Sequence, residues 1–237
     1  MKIRAKIAKG EAVRFISHLD FAGTLEKAVR RAKLPMALSG GFTPRLKINF
    51  ASALALGFTS EAEYADFELQ DRILVAKFIR RLNQQLPKGI EILEARQVAD
   101  NSPALMAQVV AASYRVVGSV SVPDETLVFS WDEFLEQDNI IITKTTKRRQ
   151  KQIDIRPWIL KTRLYPRGEK SSWDLLVTSG QKGNLRPEEL LQAFFAFAGL
   201  DGEIKHIHRT GLYIERFGHL VSPLARLRVP EEVRESE

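Results

Sequence analysis

Lys2-Ile3-Arg4-Ala5-Lys6-Ile7 opens the chain, and its reading decides the fold. Apolar Ile3, Ala5 and Ile7 alternate with cationic Lys2, Arg4 and Lys6, the period of a half-buried strand. Lys9-Gly10-Glu11 reads as a turn and Val13 to Ile16 as a short apolar return. Ser17 then stands as an N-cap, with Asp20 in the capping-box position. Ala22, Leu25, Val29 and Ala32 form an apolar stripe at helical spacing, with Lys27, Arg30 and Arg31 on another face, and Pro35 stops the helix.

The elements continue as a strand at 46–51, a loop at 52–60 and a strand at 63–69. A helix at about 72–86 follows, with the stripe Val75, Phe78, Ile79, Leu82 and Leu86, then a strand at 90–98. The order β-α-β-β-α-β is the split-βαβ pattern of a ferredoxin-like domain. It recurs after a linker at 99–110 that carries Asp100-Asn101-Ser102-Pro103. The second pass has a strand from Tyr114 to Val122, a short helix capped by Ser130, a strand from Ile140 and extended structure from Asp154 to Tyr165. A strand from Trp173 to Thr178, a helix from Pro187 to Phe197 closed by Gly199, and a strand from Ile204 to Glu215 complete it. The repeat is one of element order, not of residues. The expectation is an α+β protein of two tandem ferredoxin-like (split βαβ) domains, 1–98 and 111–225, followed by a charged tail at 226–237.

The 237 residues carry 36 Lys and Arg against 29 Asp and Glu, a net charge of +7 that favours a polyanionic partner. The charge is uneven. Residues 1–50 hold eleven basic and three acidic residues, residues 51–71 hold five acids and no cation, and residues 144–167 hold nine cations and one acid. There is no cysteine, so disulfides, thiolate metal sites and cysteine nucleophiles are excluded. The start of the chain lacks the apolar core of a signal peptide, and no run reaches the length of a membrane span, so the expected setting is the cytoplasm with no membrane partner.

The segment Ser39-Gly40-Gly41-Phe42-Thr43-Pro44-Arg45-Leu46-Lys47 joins flexible glycines, rigid Pro44 and two cations two residues apart, as an anion-binding loop would. Lys144, Lys147, Arg148, Arg149 and Lys151 look like the basic tip of a hairpin between Ile142 and Ile153. These residues, with Lys27, Arg30, Arg31, Arg45 and Lys47, are the candidate nucleic-acid contacts. His18, in the first turn of a helix, is the candidate general base, and the positive helix terminus favours its neutral form. Trp131 and Trp158 are either base-stacking or core residues. His206 and His208 share a strand face without an acidic cluster and read as solvent-facing, and no metal or other cofactor is expected. Asp154-Ile155-Arg156-Pro157 reads as a structural corner with Asp154 and Arg156 paired. No phosphate-binding P-loop motif occurs.

The run Phe15-Ile16-Ser17-His18-Leu19-Asp20, then Arg30-Arg31-Ala32, Leu34-Pro35, Ser39 to Phe50, Leu56-Gly57 and Glu63-Tyr64 resembles the radical-SAM-linked domain family. Weaker matches at Leu86 to Ile90, Asp154 to Pro157 and Arg186 to Leu191 extend the resemblance over about residues 2–215. Members of that family have no established function and are found fused to, or encoded beside, radical SAM proteins with cobalamin-binding domains. The resemblance implies a radical SAM protein as partner, with this chain as the accessory half because it has no cysteine for a cluster. The family commonly reads Gly-Phe-Asn-Pro-His-Pro-Lys at the loop. Here Arg45 replaces the histidine and Leu46 the second proline, which removes a second imidazole and keeps anion binding.

Three functions follow: a noncatalytic module presenting tRNA or rRNA to a modifying enzyme, a metal-independent endoribonuclease using His18, and a protein adaptor whose acidic strand at 61–71 docks a basic partner. The oligomeric state is open.

Overall fold

The computed structural model describes residues 1–145 and 150–225. The expected first strand is β1 (Lys2–Lys9), with Ile3, Ala5 and Ile7 buried on one face. It lies between β3 (Thr59–Glu68) and β4 (Ile90–Val98), antiparallel to both. A short β2 (Ile48–Phe50) pairs with β3 on its other side. α1 (His18–Arg31) begins where the Ser17 hydroxyl accepts a hydrogen bond from the Asp20 amide at 3.1 Å. It buries Phe21, Leu25, Ala28 and Val29. Together with α2 (Val75–Asn83) it covers a cluster that includes Ile3, Ile7, Phe67 and Ile92.

The second pass is larger than its sequence signals. α3 (Leu105–Gln108) leads into β5 (Val109–Val120), followed by α4 (Asp124–Glu136), a hairpin of β6 (Ile141–Thr145) and β7 (Gln150–Asp154), then β8 (Ile159–Tyr165) and β9 (Ser171–Gly180). A two-residue β10 (Gly183–Asn184), α5 (Pro187–Ala198), β11 (Gly202–Arg216) and β12 (His219–Val221) finish the described chain. α4 starts six residues before the expected cap at Ser130. Asp124 and Glu125 in its first turn favour the helix N-terminus, and Ser130 lies inside the helix. α4 and α5 pack Trp131, Phe134 and Phe194 against Trp173, Leu175 and Val177 of β9.

The result is a mixed α+β protein with one ten-stranded sheet, ordered β10-β9-β5-β11-β3-β1-β4, and five α-helices among the described residues. Two separate sheets would be joined only by a linker. Here β11 runs parallel to β3, with His208 opposite Thr59 and Arg209 opposite Ser60. That pairing explains why β3 begins at Thr59, in what the local pattern reads as a loop. No helix among the described residues is long and apolar enough to cross a membrane.

Candidate functional site

The seam between β3 and β11 carries the most unusual chemistry of the molecule. Arg209 of β11 and Glu63 of β3 are buried side by side, with guanidinium-to-carboxylate distances of 3.0 and 3.2 Å. The same guanidinium donates to the Tyr114 hydroxyl at 3.2 and 3.3 Å and to the Ala53 carbonyl at 3.3 Å. Lys9, also buried, donates from Nζ to the carbonyls of Arg14 at 3.0 Å and Ile16 at 3.1 Å. Burial pushes its pKa down, while nearby Glu63 pulls the other way. Lys9 and Glu63 both fall on the buried parity of their strands, a visible sign of internal charge. No sequence signal marks Arg209 as their partner.

A second buried pair, Arg4 with Asp66, is bidentate at 2.7 and 2.9 Å. These pairs correct the reading of 61–71 as a docking surface. Glu63 and Asp66 are internal counter-charges and Glu68 pairs with Lys47 at 3.1 Å, so only Glu61 and Asp71 of the five acids are exposed. Part of the basic zone at 1–50 is internal for the same reason, since Arg4 and Lys9 are buried.

His18 stands at the edge of this charge cluster. Its ring meets Phe50 edge-on, with centroids 5.1 Å apart. Burial holds its pKa below the usual 6.5, Glu63 opposes that shift, and Arg209 and Lys9 add to it. The expected helpers are elsewhere. Arg45 is five residues along the chain from Phe50, on the order of 16 Å in extended structure, and Lys47 is held by Glu68. A folded histidine with a lowered pKa binds fewer protons than the unfolded one. Stability therefore falls as pH drops through 6.5 toward the folded value. His208, also lowered mainly by burial, acts in the same direction. His18→Gln should flatten the rise of melting temperature with pH just below 6.5, and a slope identical to wild type would rule out the buried neutral state.

The remaining candidates scatter. Lys27 and Arg30 are exposed one turn apart on α1 and have no acidic partner among the described residues. Arg31 instead donates to the Gln85 carbonyl at 2.8 Å, and Arg81 to the Lys33 carbonyl at 3.0 Å, so α1 and α2 are cross-braced. The loop from Ser39 to Arg45 is closed by two hydrogen bonds between its end residues and leaves Gly40, Gly41, Phe42, Pro44 and Arg45 exposed. Gly41 has φ of 102°, a conformation that favours glycine. Lys144 braces the hairpin to α5, donating to the Asn184 carbonyl at 2.9 Å and pairing with Glu189 at 2.8 Å. Lys147, Arg148 and Arg149 lie outside the described residues, and Lys151 is exposed on β7.

Two open readings are decided and two change. Trp131 is a core residue, against Phe194 at 4.8 Å, and cannot stack on a base. Trp158 packs beneath Lys144, 5.5 Å from its ring, and against Gly183, where a side chain would collide with the indole. His206 and His208 are part-buried and converge on the Thr59 hydroxyl at 2.9 and 2.8 Å. Asp154 accepts from the backbone amides of Ile140 at 2.9 Å and Arg156 at 3.0 Å, which closes the hairpin base; its partner is the Arg156 backbone, not its guanidinium.

The turn that Lys9 clamps is a further feature of the seam. It presents Phe15, 69% exposed, with the Arg14 guanidinium 4.5 Å over its ring. Its sequence signal was the place of Phe15 two residues before the Ser17 cap, at the head of the motif Phe15 to Asp20.

The fold is similar to that of a chain in the crystal structure of a Cbf5–Nop10–Gar1 complex, with a TM-score of 0.52 and 11% identity over 88% of this chain and 48% of that one. It is also similar to a chain of an H/ACA RNP bound to a substrate RNA containing 2'-deoxyuridine, with a TM-score of 0.50 and 10% identity over 88% of this chain and 46% of that one. This chain thus spans about half the length of these neighbours, and at such identities the likeness is one of fold. No curated protein matches. A family model described as an uncharacterized protein conserved in bacteria (DUF2344) matches residues 2–187.

Proposed function

The chain belongs to this uncharacterised bacterial family, and on that premise we propose that it is a noncatalytic RNA-binding accessory module. The observation that carries the reading is the pair of exposed cations Lys27 and Arg30 on α1, unpaired among the described residues of a chain with net charge +7. Arg4, Arg209 and Arg31 are engaged by Asp66, Glu63 or a main-chain carbonyl, whereas Lys27 and Arg30, like Lys77 and Arg80 on α2, are exposed without an acidic partner among the described residues. The fold adds support, because one neighbour with it belongs to a ribonucleoprotein bound to RNA. Lys151, Arg45 and the cations at 147–149 would extend the phosphate-binding surface. We take each half as a ferredoxin-like unit. The strand orders β4-β1-β3-β2 and β11-β5-β9-β8 support this, with the halves fused through β3 and β11. tRNA or rRNA as the ligand rests on charge placement and fold type, and a radical SAM protein as the enzyme served rests on the motif resemblance alone.

The endoribonuclease alternative has one observation in its favour, a neutral His18. It lacks a neighbouring acid catalyst, since arginine stays protonated. Cleavage of RNA in the presence of chelator, absent in His18→Ala, would move the conclusion to that reading.

The test is the salt dependence of RNA binding. Lys27→Ala with Arg30→Ala removes two phosphate contacts. It should lower the slope of log affinity against log salt by roughly 1.4–1.8, at about 0.7–0.9 per contact. Stability should move by about 0.5 kcal/mol or less, because both side chains are exposed. An unchanged slope in filter binding removes α1 from the interface.

A further inference from the structure

A cleft of about 270 Å³ opens between the two halves, beside the clamped turn at 14–16. Arg14 and Gly57 form one wall, and Glu188 and Gln192 of α5 form the other. Phe15 stands at the rim, where its ring would be 3.9 Å from a Cβ placed on Gly57. Glu188 and Gln192 are four residues apart on a helix, so both side chains project from one face.

Three features mark this cleft as built to receive something. Phe15 is exposed yet held rigidly: the Arg14 carbonyl accepts from the Gly57 amide at 3.0 Å as well as from Lys9, and the Ile16 carbonyl accepts from Lys9. Burying a lysine is costly, and here that cost fixes a turn whose outward product is an aromatic ring. Polar atoms in the walls are also left over. Arg14 Nε and Glu188 Oε2 are shielded from solvent and have no hydrogen-bond partner. Finally, burial pushes the pKa of the Glu188 carboxyl upward, and its oxygens can accept hydrogen bonds. Beside it, the Gln192 amide both donates and accepts.

A flat aromatic face, a guanidinium and paired donor–acceptor groups are the chemistry that recognises an unpaired nucleobase. We propose that this cleft receives one unpaired base of a bound RNA, its plane on the Phe15 ring and its edge on Gln192 and Glu188. The proposal rests on the RNA reading above and adds to it a site separate from the phosphate contacts of α1. It also sets the ligand class: single-stranded or looped RNA, not an uninterrupted duplex, whose bases are stacked away from such a cleft.

The experiment compares the full chain with Phe15→Ala, Phe15→Trp and Gln192→Ala, using fluorescence anisotropy on a short single-stranded oligoribonucleotide and on a duplex of equal length. Phe15→Ala should weaken single-strand binding by roughly 5- to 100-fold, the range of one lost base stack. It should leave duplex binding and the salt slope unchanged, because those report phosphate contacts. Phe15→Trp should keep near wild-type affinity, and Gln192→Ala should weaken the single strand alone. Since Phe15 is mostly exposed, a melting temperature equal to wild type is the folding control. Unaltered single-strand affinity in Phe15→Ala, or an equal loss on duplex, overturns the base cleft while the RNA reading stands. A wild-type chain that binds neither form overturns both.

Discussion

Replacing Arg209 with methionine should lower the melting temperature by roughly 6–20 °C. The change leaves Glu63 charged, buried and without its guanidinium partner, and breaking one side of such a pair costs about 3–5 kcal/mol. In a domain of this size each kcal/mol shifts Tm by roughly 2–4 °C. The Tyr114 hydroxyl and the Ala53 carbonyl lose a donor at the same time, which loosens the loop from Ala51 that leads into β3. Adding Glu63→Leu should recover part of the loss, because an apolar pair of similar volume often replaces a buried ion pair without penalty. Recovery should be incomplete, since Lys9 then has no nearby carboxylate. Thermal denaturation of the two single variants and the double reads this directly. A single variant within about 2 °C of wild type would mean that water or a rearranged side chain compensates, and that β3 and β11 are not joined through this pair.

Trp131→Ala should cost a similar amount, about 3–5 kcal/mol, by a different route. The indole lies edge-on to Phe194 of α5 at 4.8 Å, tilted against Phe134 at 5.8 Å and 6.5 Å from Trp173 of β9. Its removal opens a cavity where both helices of the second half meet the sheet, and rings set in such a network have little freedom to collapse into the space. Melting temperature should fall by roughly 6–20 °C. Trp131→Phe should lose much less, because it keeps an aromatic ring in the same place. Specific RNA affinity per folded molecule should be unchanged in both. A Trp131→Ala chain that melts like wild type and binds RNA more weakly would return this residue to the binding surface.

Period and punctuation made much of the first half readable. β1 follows from strict alternation at 2–7, α1 from its cap and apolar stripe, and the β-α-β-β-α-β order from strands and helices with ordinary lengths. The second half was harder for physical reasons. α4 buries Leu127, Trp131 and Phe134 but also carries exposed Val128 and Phe129, so the apolar residues of its first two turns do not form a clear stripe. The exposed cations of α1 were legible because Lys27 and Arg30 fall off the apolar stripe. The site at the seam was legible only as two misplaced charges, Lys9 and Glu63, on buried parity.

By itself, the sequence determined what depends on neighbours along the chain: which stretches form strands and helices, where Ser17 caps α1, and which helical faces carry charge. The tertiary structure decided what depends on residues far apart. It placed Arg209 on Glu63 across 146 positions, made Glu63 and Asp66 of the acidic stretch at 61–71 internal counter-charges, and paired Lys47 with Glu68. It also merged the two passes into one sheet through β3 and β11. The reason is that local pattern records the side-chain period and the conformational preference of each residue, whereas a buried charge reveals its partner only when two distant strands pair and exclude water from both.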